Sequence, residues 1–242
     1  ERQCQQIDDF CAQKVNVIVI NPVKGDSQLI LRALEKARKQ GIKIIAVDTQ
    51  LKNFKPDASI VSDNYQAGVL IAKELMKRSS SARILLLEHK GTISADTRIQ
   101  GFKDTIEGHE SYQIVSELET KGQTEIAMPT VRNFLQLEFK IDTLVALNDR
   151  SAIGALAAIK EKGISYPIAI YGIDGSPEMK SLLHSTDDVV GTVAQSPLQM
   201  GDRVMEVIQD IVDGKSYSEE ITILVQMMTK ENIDRFDVNG WQ

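Results

Sequence analysis

Short apolar runs rich in β-branched residues alternate with longer stretches of helical period from one end of the chain to the other, which predicts an α/β fold. The predicted strands are Asn16–Asn21, Lys43–Asp48, Ser59–Ser62, Arg83–Glu88, Gln113–Glu117, Thr143–Leu147, Ala169–Ile173, Val189–Ala194 and Thr222–Gln226. Most are apolar on both faces, as strands of a parallel sheet covered by helices on each side must be. Between them lie amphipathic stretches at Ser27–Gln40, Gln66–Arg78, Asp96–Glu107, Glu125–Leu137, Ser151–Lys162 and Leu198–Asp213, three of them closed by Gly41, Gly163 and Gly214. The pattern predicts that each strand reaches the next through a helix. No low-complexity tether or internal repeat interrupts it, so a domain border must be made by strands that cross from one lobe to the other. Ser59–Asn64 and Ile221–Gln226 are the candidates. They divide the chain into an N-terminal lobe of residues 1–63 and 196–222 and a C-terminal lobe of residues 64–195 and 223–242.

Composition narrows the class. The 242 residues, 42% hydrophobic, can fill one large or two modest cores. Lys and Arg number 28 against 34 Asp and Glu, a net charge of −6 with no long run of either sign, which speaks against a nucleic-acid face or a polybasic membrane patch. No apolar stretch approaches the ~20 residues of a membrane span. The opening Glu1-Arg2-Gln3-Cys4 is too polar for a signal peptide, so an exported form would have shed its signal. Cys4 and Cys11 sit seven apart in one predicted helix, roughly 10 Å between Cα atoms, which is too far for a disulfide.

Several strands end at their carboxyl side in residues that hydrogen-bond strongly: Asp48, Asn148-Asp149, Asp174 and Gln195. In open α/β sheets this edge is where loops and helix N-termini converge on a ligand. Each residue also reads as a helix cap, most clearly Asn148 before the helix from Ser151 and Asp174-Gly175-Ser176-Pro177 before the next. As a set, joined by Arg98, they supply the donors and acceptors that several hydroxyls on one small molecule demand. Dinucleotide, phosphate-loop, nucleophile-elbow and zinc-protease motifs are missing, which argues against an enzyme and calls for no cofactor. His89, His109 and His184 lack metal-ligand spacing; His89, after the strand Arg83–Glu88, is placed either to line a cleft or, the preferred reading, as a solvated loop residue. Met227-Met228 reads as core filling.

The runs VNVIVINPV, GIKIIAVDT and SIVSDNYQAG resemble the first-lobe core of the ribose- and galactose-type periplasmic sugar-binding proteins. TISADTRIQGF resembles that family's R-x-x-G-F helix, LVALNDRSAIGAL its N-D-x-x-A-x-G-A segment, YGIDGSPE its G-x-D-G-x-P, and GTVAQSPLQMG its A-Q-x-P-x-x-x-G crossover. The likeness runs from about Gln5 to Lys215, and the tail TKENIDRFDVNGWQ resembles ends common among sugar-binding lipoproteins.

The resemblance implies a type I two-lobed fold, three crossovers and hinge closure over a small sugar or polyol, delivered outside the cytoplasm to a membrane ABC-type permease. By the same resemblance Arg98 donates to ring or hydroxyl oxygens, Asn148 donates and accepts, Asp174 accepts from two adjacent hydroxyls, Gln195 completes the second-lobe shell and Asp48 serves from the first lobe. Where ribose binders follow that aspartate with arginine this chain has Thr49, and where many members carry an aromatic it has Lys121-Gly122-Gln123. Weaker stacking points to an acyclic polyol or modified sugar. The family's strand-helix-strand ahead of the first helix here is not supplied by residues 1–242. Asn16–Asn21 is therefore expected at a sheet edge or paired with a strand from outside, and the isolated chain is expected to bind weakly or self-associate. Two other uses of the fold stay open: the effector domain of a lac-repressor-like regulator, and a sensor domain serving a membrane receptor or kinase.

Overall fold

The computed structural model describes residues 1–137 and 139–242. From the amino end the elements are α1 (Arg2–Ala12), β1 (Val17–Ile20), α2 (Gln28–Lys39), β2 (Lys43–Val47), β3 (Ala58–Ser62), α3 (Asn64–Arg78), β4 (Ala82–Glu88), α4 (Ile93–Ile106) and β5 (Tyr112–Glu119). There follow α5 (Thr124–Phe134), β6 (Thr143–Ala146), α6 (Asp149–Lys162), β7 (Ala169–Asp174), α7 (Pro177–Ser185), β8 (Val189–Ala194), α8 (Pro197–Val212), β9 (Glu220–Ile223) and β10 (Gln226–Thr229).

These elements form two compact units. Residues 1–62 and 196–223 make the first, and residues 63–195 and 224–242 the second, so the chain passes between them three times. The first unit holds a parallel sheet in the order β1-β2-β3-β9. On one face Ile18, Ile20 and Ile44 pack with Ile7 and Cys11 of α1 and Leu34 and Ala37 of α2. On the other, Ile45 and Ile60 pack with Met200, Val204 and Val207 of α8. Burial of alternate residues on opposite faces is why these strands read as apolar throughout. β1 lies at the sheet edge, paired with β2 alone among the described residues, and Val19 on it is 39% exposed.

The second unit holds six strands in the order β10-β8-β7-β6-β4-β5. Five run parallel and β10 pairs antiparallel with β8. Leu85, Leu87, Leu144 and Ile170 face a core built with α5, α6 and α7. Ile84, Leu86, Val145 and Ile173 face the side of α3 and α4. Met228 is wholly buried in the first of these cores.

Two expectations need correction. Thr222–Gln226 is not one strand: β9 pairs with β3 in the first sheet and β10 with β8 in the second, with Leu224 and Val225 between them. Periodicity reports which residues are buried, and it does not report that the pairing partner changes midway. The step from β2 to β3 also lacks a helix. Residues 48–57 cross as an irregular segment anchored by buried Phe54, whose ring lies 4.0 Å beneath the Arg38 guanidinium, and Asn53 there takes a positive φ of 60°. The cysteines are both free, with Cys11 buried.

Candidate functional site

In the second unit, Arg98, Asp174 and Gln195 converge at the carboxyl ends of the strands. Arg98 is buried on the second turn of α4. Its Nε donates to Asn64 Oδ1 at 2.8 Å, and its Nη1 donates to the Leu147 carbonyl at 3.0 Å and to Asp174 Oδ1 at 3.4 Å. What puts it there is a close approach of two helices. A Cβ at Gly68 of α3 would stand 1.9 Å from the Arg98 carbonyl oxygen, and one at Gly101 of α4 would stand 2.1 Å from the Tyr65 carbonyl oxygen. The glycine of the R-x-x-G-F motif thus lets α4 lie against α3, and the arginine then meets the first residue of α3.

Asp174 ends β7 with φ at 143°, a conformation L residues rarely hold, of the kind that concentrates at functional positions. It caps no helix: Ser176 does so, accepting from Met179 N at 3.2 Å. Its carboxylate instead accepts from Gln195 Nε2 at 2.7 Å as well as from Arg98. Asn148 does cap a helix. Its Oδ1 accepts from Ser151 N at 3.0 Å at the start of α6, and its Nδ2 donates to the Gly122 carbonyl at 3.0 Å. One amide hydrogen is left over by those bonds.

Beside these, Asp149 is wholly buried. Its carboxylate accepts from Thr192 Oγ1 at 2.6 Å and from Ser176 N at 2.8 Å. Burial above all, and then the charge of Asp174, pushes it up to about 7, against the pull of Thr192 and Ser176.

Farther along the same edge, buried Glu88 ends β4 near Glu117 of β5, with Lys103 Nζ 2.7 Å from Glu117 and 3.4 Å from Glu88. Burial first, and then Glu117, raises Glu88, while Glu88 and Lys103 hold Glu117 below the ordinary carboxylate range. His89, in the following loop, is half-buried with Thr92 Oγ1 at 3.4 Å from its ring nitrogens.

The first unit presents Asp48 and Thr49 directly after β2. Asp48 takes φ at 65°, and Thr49 N donates to the Val47 carbonyl at 2.8 Å, closing a three-residue turn around it. Asn21, directly after β1, donates from Nδ2 to Asp48 Oδ2 at 3.0 Å. Gln3 of α1 fastens that loop, donating to the Asn21 carbonyl at 2.7 Å and accepting from Val23 N at 3.0 Å.

Within the second unit, then, Arg98, Asp174 and Gln195 stand together, with Asn148 serving as a cap. Asn21 and Asn64 were not selected from the sequence, and Asp149 was named there only together with Asn148, with no role of its own. Asn64 stood in the motif SIVSDNYQAG and Asp149 beside Asn148, and only the fold shows what each faces. Among the described residues no group of His, Cys, Asp and Glu is arranged to hold a metal ion, and no helix is long and apolar enough to cross a membrane.

Residues 1–216 match the family model described as periplasmic binding protein domain. The ribose import binding protein of Bacillus subtilis (strain 168) is 28% identical over 234 residues, covering 95% of this chain and 74% of that protein. The periplasmic binding protein component of the arabinose ABC transporter from Shewanella sp. ANA-3 superposes with a TM-score of 0.88 at 26% identity, covering 96% of this chain and 79% of that one. An ABC transporter periplasmic solute binding protein from Actinobacillus succinogenes 130z, solved with bound D-allose, gives 0.89 at 23% identity, covering 97% and 85%. Matched over most of its length, with the type I fold, the chain belongs to the periplasmic binding protein domain family, a family of solute-binding proteins that are not enzymes.

Proposed function

We propose that this chain holds one small sugar or polyol at the carboxyl edge of the six-stranded sheet and works outside the cytoplasm, handing its ligand to an ABC-type permease. The observation that carries the reading is the carboxylate of Asp174, braced by Arg98 and Gln195 at a strand end with a positive φ. A carboxylate so braced accepts from adjacent hydroxyls, and Arg98 beside it donates to ring or hydroxyl oxygens. Asp48 and Thr49 are the first unit's contribution in this reading. The relatives support the chemical class: their names and bound molecules are ribose, an arabinofuranose and D-allose. Thr49 and Lys121-Gly122-Gln123 favour a ligand with little ring face to stack, an acyclic polyol or modified sugar.

A thermal-shift panel of pentoses, hexoses, their alcohols and amino sugars tests this. A ligand at ~100 times its dissociation constant adds ~2.7 kcal/mol to unfolding, a readily seen rise in midpoint. A folded chain whose midpoint no member of the panel moves would overturn the assignment.

A further inference from the structure

Asp149 opens α6 directly after the capping Asn148, and it is a carboxylate with no exposed surface. Room for it comes from β7, where Gly172 has no side chain: a Cβ there would stand 2.3 Å from Asp149 Oδ1. Its two oxygens reach two different strand ends. One accepts from Ser176 N, two residues past Asp174. The other accepts from Thr192 Oγ1 of β8, and that hydroxyl in turn accepts from Gly175 N at 3.2 Å, one residue past Asp174. Both amides that follow Asp174 are therefore held, directly or through Thr192, by the Asp149 carboxylate. Asp174 has a strained backbone, and such a conformation persists only where its surroundings over-determine it.

We propose that Asp149 is the positioning residue for Asp174, and that gain or loss of its proton resets the turn carrying Asp174 and with it the grip of this face on a ligand. The ligand half of this rests on the function proposed above. Ionised, Asp149 accepts both donations. Protonated, it must itself donate, and one of the two bonds to the turn is reversed or lost. Charged groups face it from several elements. Asp174 on β7 carries like charge, with Arg98 of α4 on the far side of Asp174. Lys180 of α7 is buried and donates to the carbonyls of Asp237 and Gly240 in the tail, where Asp237 adds a further carboxylate. Burial pulls Lys180 down while Asp237 and Asp149 oppose the pull. Thr192 on β8 is neutral. Asp149 is pushed up to about 7, so its charge changes near neutrality.

Two measurements on the full chain test it. The first needs no ligand: amide resonances of Gly175 and Ser176 and the side-chain amide of Gln195, which bonds Asp174, are followed by NMR from pH 5 to 9. The expected result is one shared midpoint at about 7, absent in Asp149→Asn. A Gln195 side chain that stays still while Ser176 titrates would overturn the inference, because Asp149 would then not govern Asp174. If Asp149→Asn does not fold, Thr192→Val replaces it; removing a donor to the carboxylate moves the midpoint upward, and an unmoved midpoint overturns the inference. The second uses calorimetry with D-ribose, L-arabinose and D-allose. For whichever binds, affinity is at least threefold tighter at pH 8 than at pH 6, and flat in Asp149→Asn; equal pH dependence in the two proteins overturns it. If none of the three binds while Gln195 follows the Asp149 midpoint, the choice of ligand fails and the positioning role stands.

Discussion

Gln195 grips Asp174 twice: its side-chain amide donates to Asp174 Oδ1 at 2.7 Å, and its backbone N–H donates to the Asp174 carbonyl at 3.0 Å. The end of β7 is thereby locked to the end of β8, and the carboxylate is aimed before any ligand arrives, which lowers the ordering cost of binding. Asp174→Ala is expected to weaken sugar binding by at least ~2 kcal/mol, the value of a charge-assisted hydrogen bond, with little loss of stability. Arg98→Ala differs, because Arg98 also serves Asn64 and the Leu147 carbonyl from a buried position. It is expected to lower stability by ~3 kcal/mol as well as abolishing binding. Calorimetry beside urea melts separates the two: equal loss of stability in both variants would mean that Asp174 is part of the fold and not of the site.

For Asn148 the balance reverses. Its oxygen accepts from Ser151 N and one amide hydrogen goes to the Gly122 carbonyl. Asn148→Ala should cost ~1 kcal/mol of stability as a lost cap. Its effect on affinity should be smaller than that of Asp174→Ala. An affinity loss as large as that of Asp174→Ala, with an unchanged melting point, would contradict the capping role.

How far the amino-acid sequence foretells these features follows from what each residue depends on. β4 was legible because Ile84, Leu85, Leu86 and Leu87 are buried on alternating faces, and a short run apolar on both faces fits a strand covered by helices on each side. Asp174 and Gln195 were legible because a polar residue closing such a run has a place on the sheet edge. The crossing inside Ile221–Gln226 was legible as a candidate, but its split into β9 and β10 was not, since either half is an ordinary short strand and only its distant partner differs. Asp149 read, with Asn148, as a strand-end residue that either meets a ligand or caps the next helix. Its burial is set by Gly172 and Thr192, more than twenty residues away on two other strands, and no local pattern carries that.

The α3–α4 contact gives a test of why the R-x-x-G-F glycine matters. With a Cβ at Gly101 only 2.1 Å from the Tyr65 carbonyl oxygen, the helices must part. Gly101→Ala would gain about 1 kcal/mol of helix propensity. Overpacking against backbone is expected to outweigh it by 1–3 kcal/mol, roughly. The parting also draws Arg98 away from Asn64, so ligand affinity should fall although the substituted residue touches no ligand. A variant as stable and as tight-binding as the parent would show that the helices can relax freely.

At the opposite end of the second sheet, Leu75, Arg78, Thr143, Ile168, Tyr171 and Val190 line a cavity of about 290 Å³. The Tyr171 hydroxyl is buried there without a hydrogen-bond partner among the described residues, and burial raises its pKa. A hydroxyl desolvated without compensation costs ~1–3 kcal/mol, so Tyr171→Phe should leave stability unchanged or raise it by ~1 kcal/mol. Loss of stability in that variant, measured by denaturant melting, would show that the hydroxyl is bonded in solution.

The buried carboxylate of Asp149 makes a prediction about the fold that is separate from its effect on binding. Its folded value of about 7 stands above the 3.8 of an ordinary aspartate, so the folded chain holds the proton more firmly than the unfolded one. The stability tied to that proton is fully present below pH ~4 and is lost as pH rises toward 7. The loss amounts to about 4 kcal/mol at most. Glu88, also raised, adds to the same slope, while lowered Glu117 opposes it. Asp149→Asn keeps an oxygen for Ser176 N and offers an amide to Thr192, so it should remove the largest part of the decline. Urea melts at steps from pH 4 to 8 should show the variant nearly flat and more stable than the parent at pH 8. A parent whose stability rises through this range, with the variant following in parallel, would mean that Asp149 stays ionised throughout. If instead the variant gains stability while its ligand is held more loosely, the buried charge is one the fold tolerates at a cost because the ionised form is what fixes the turn after Asp174.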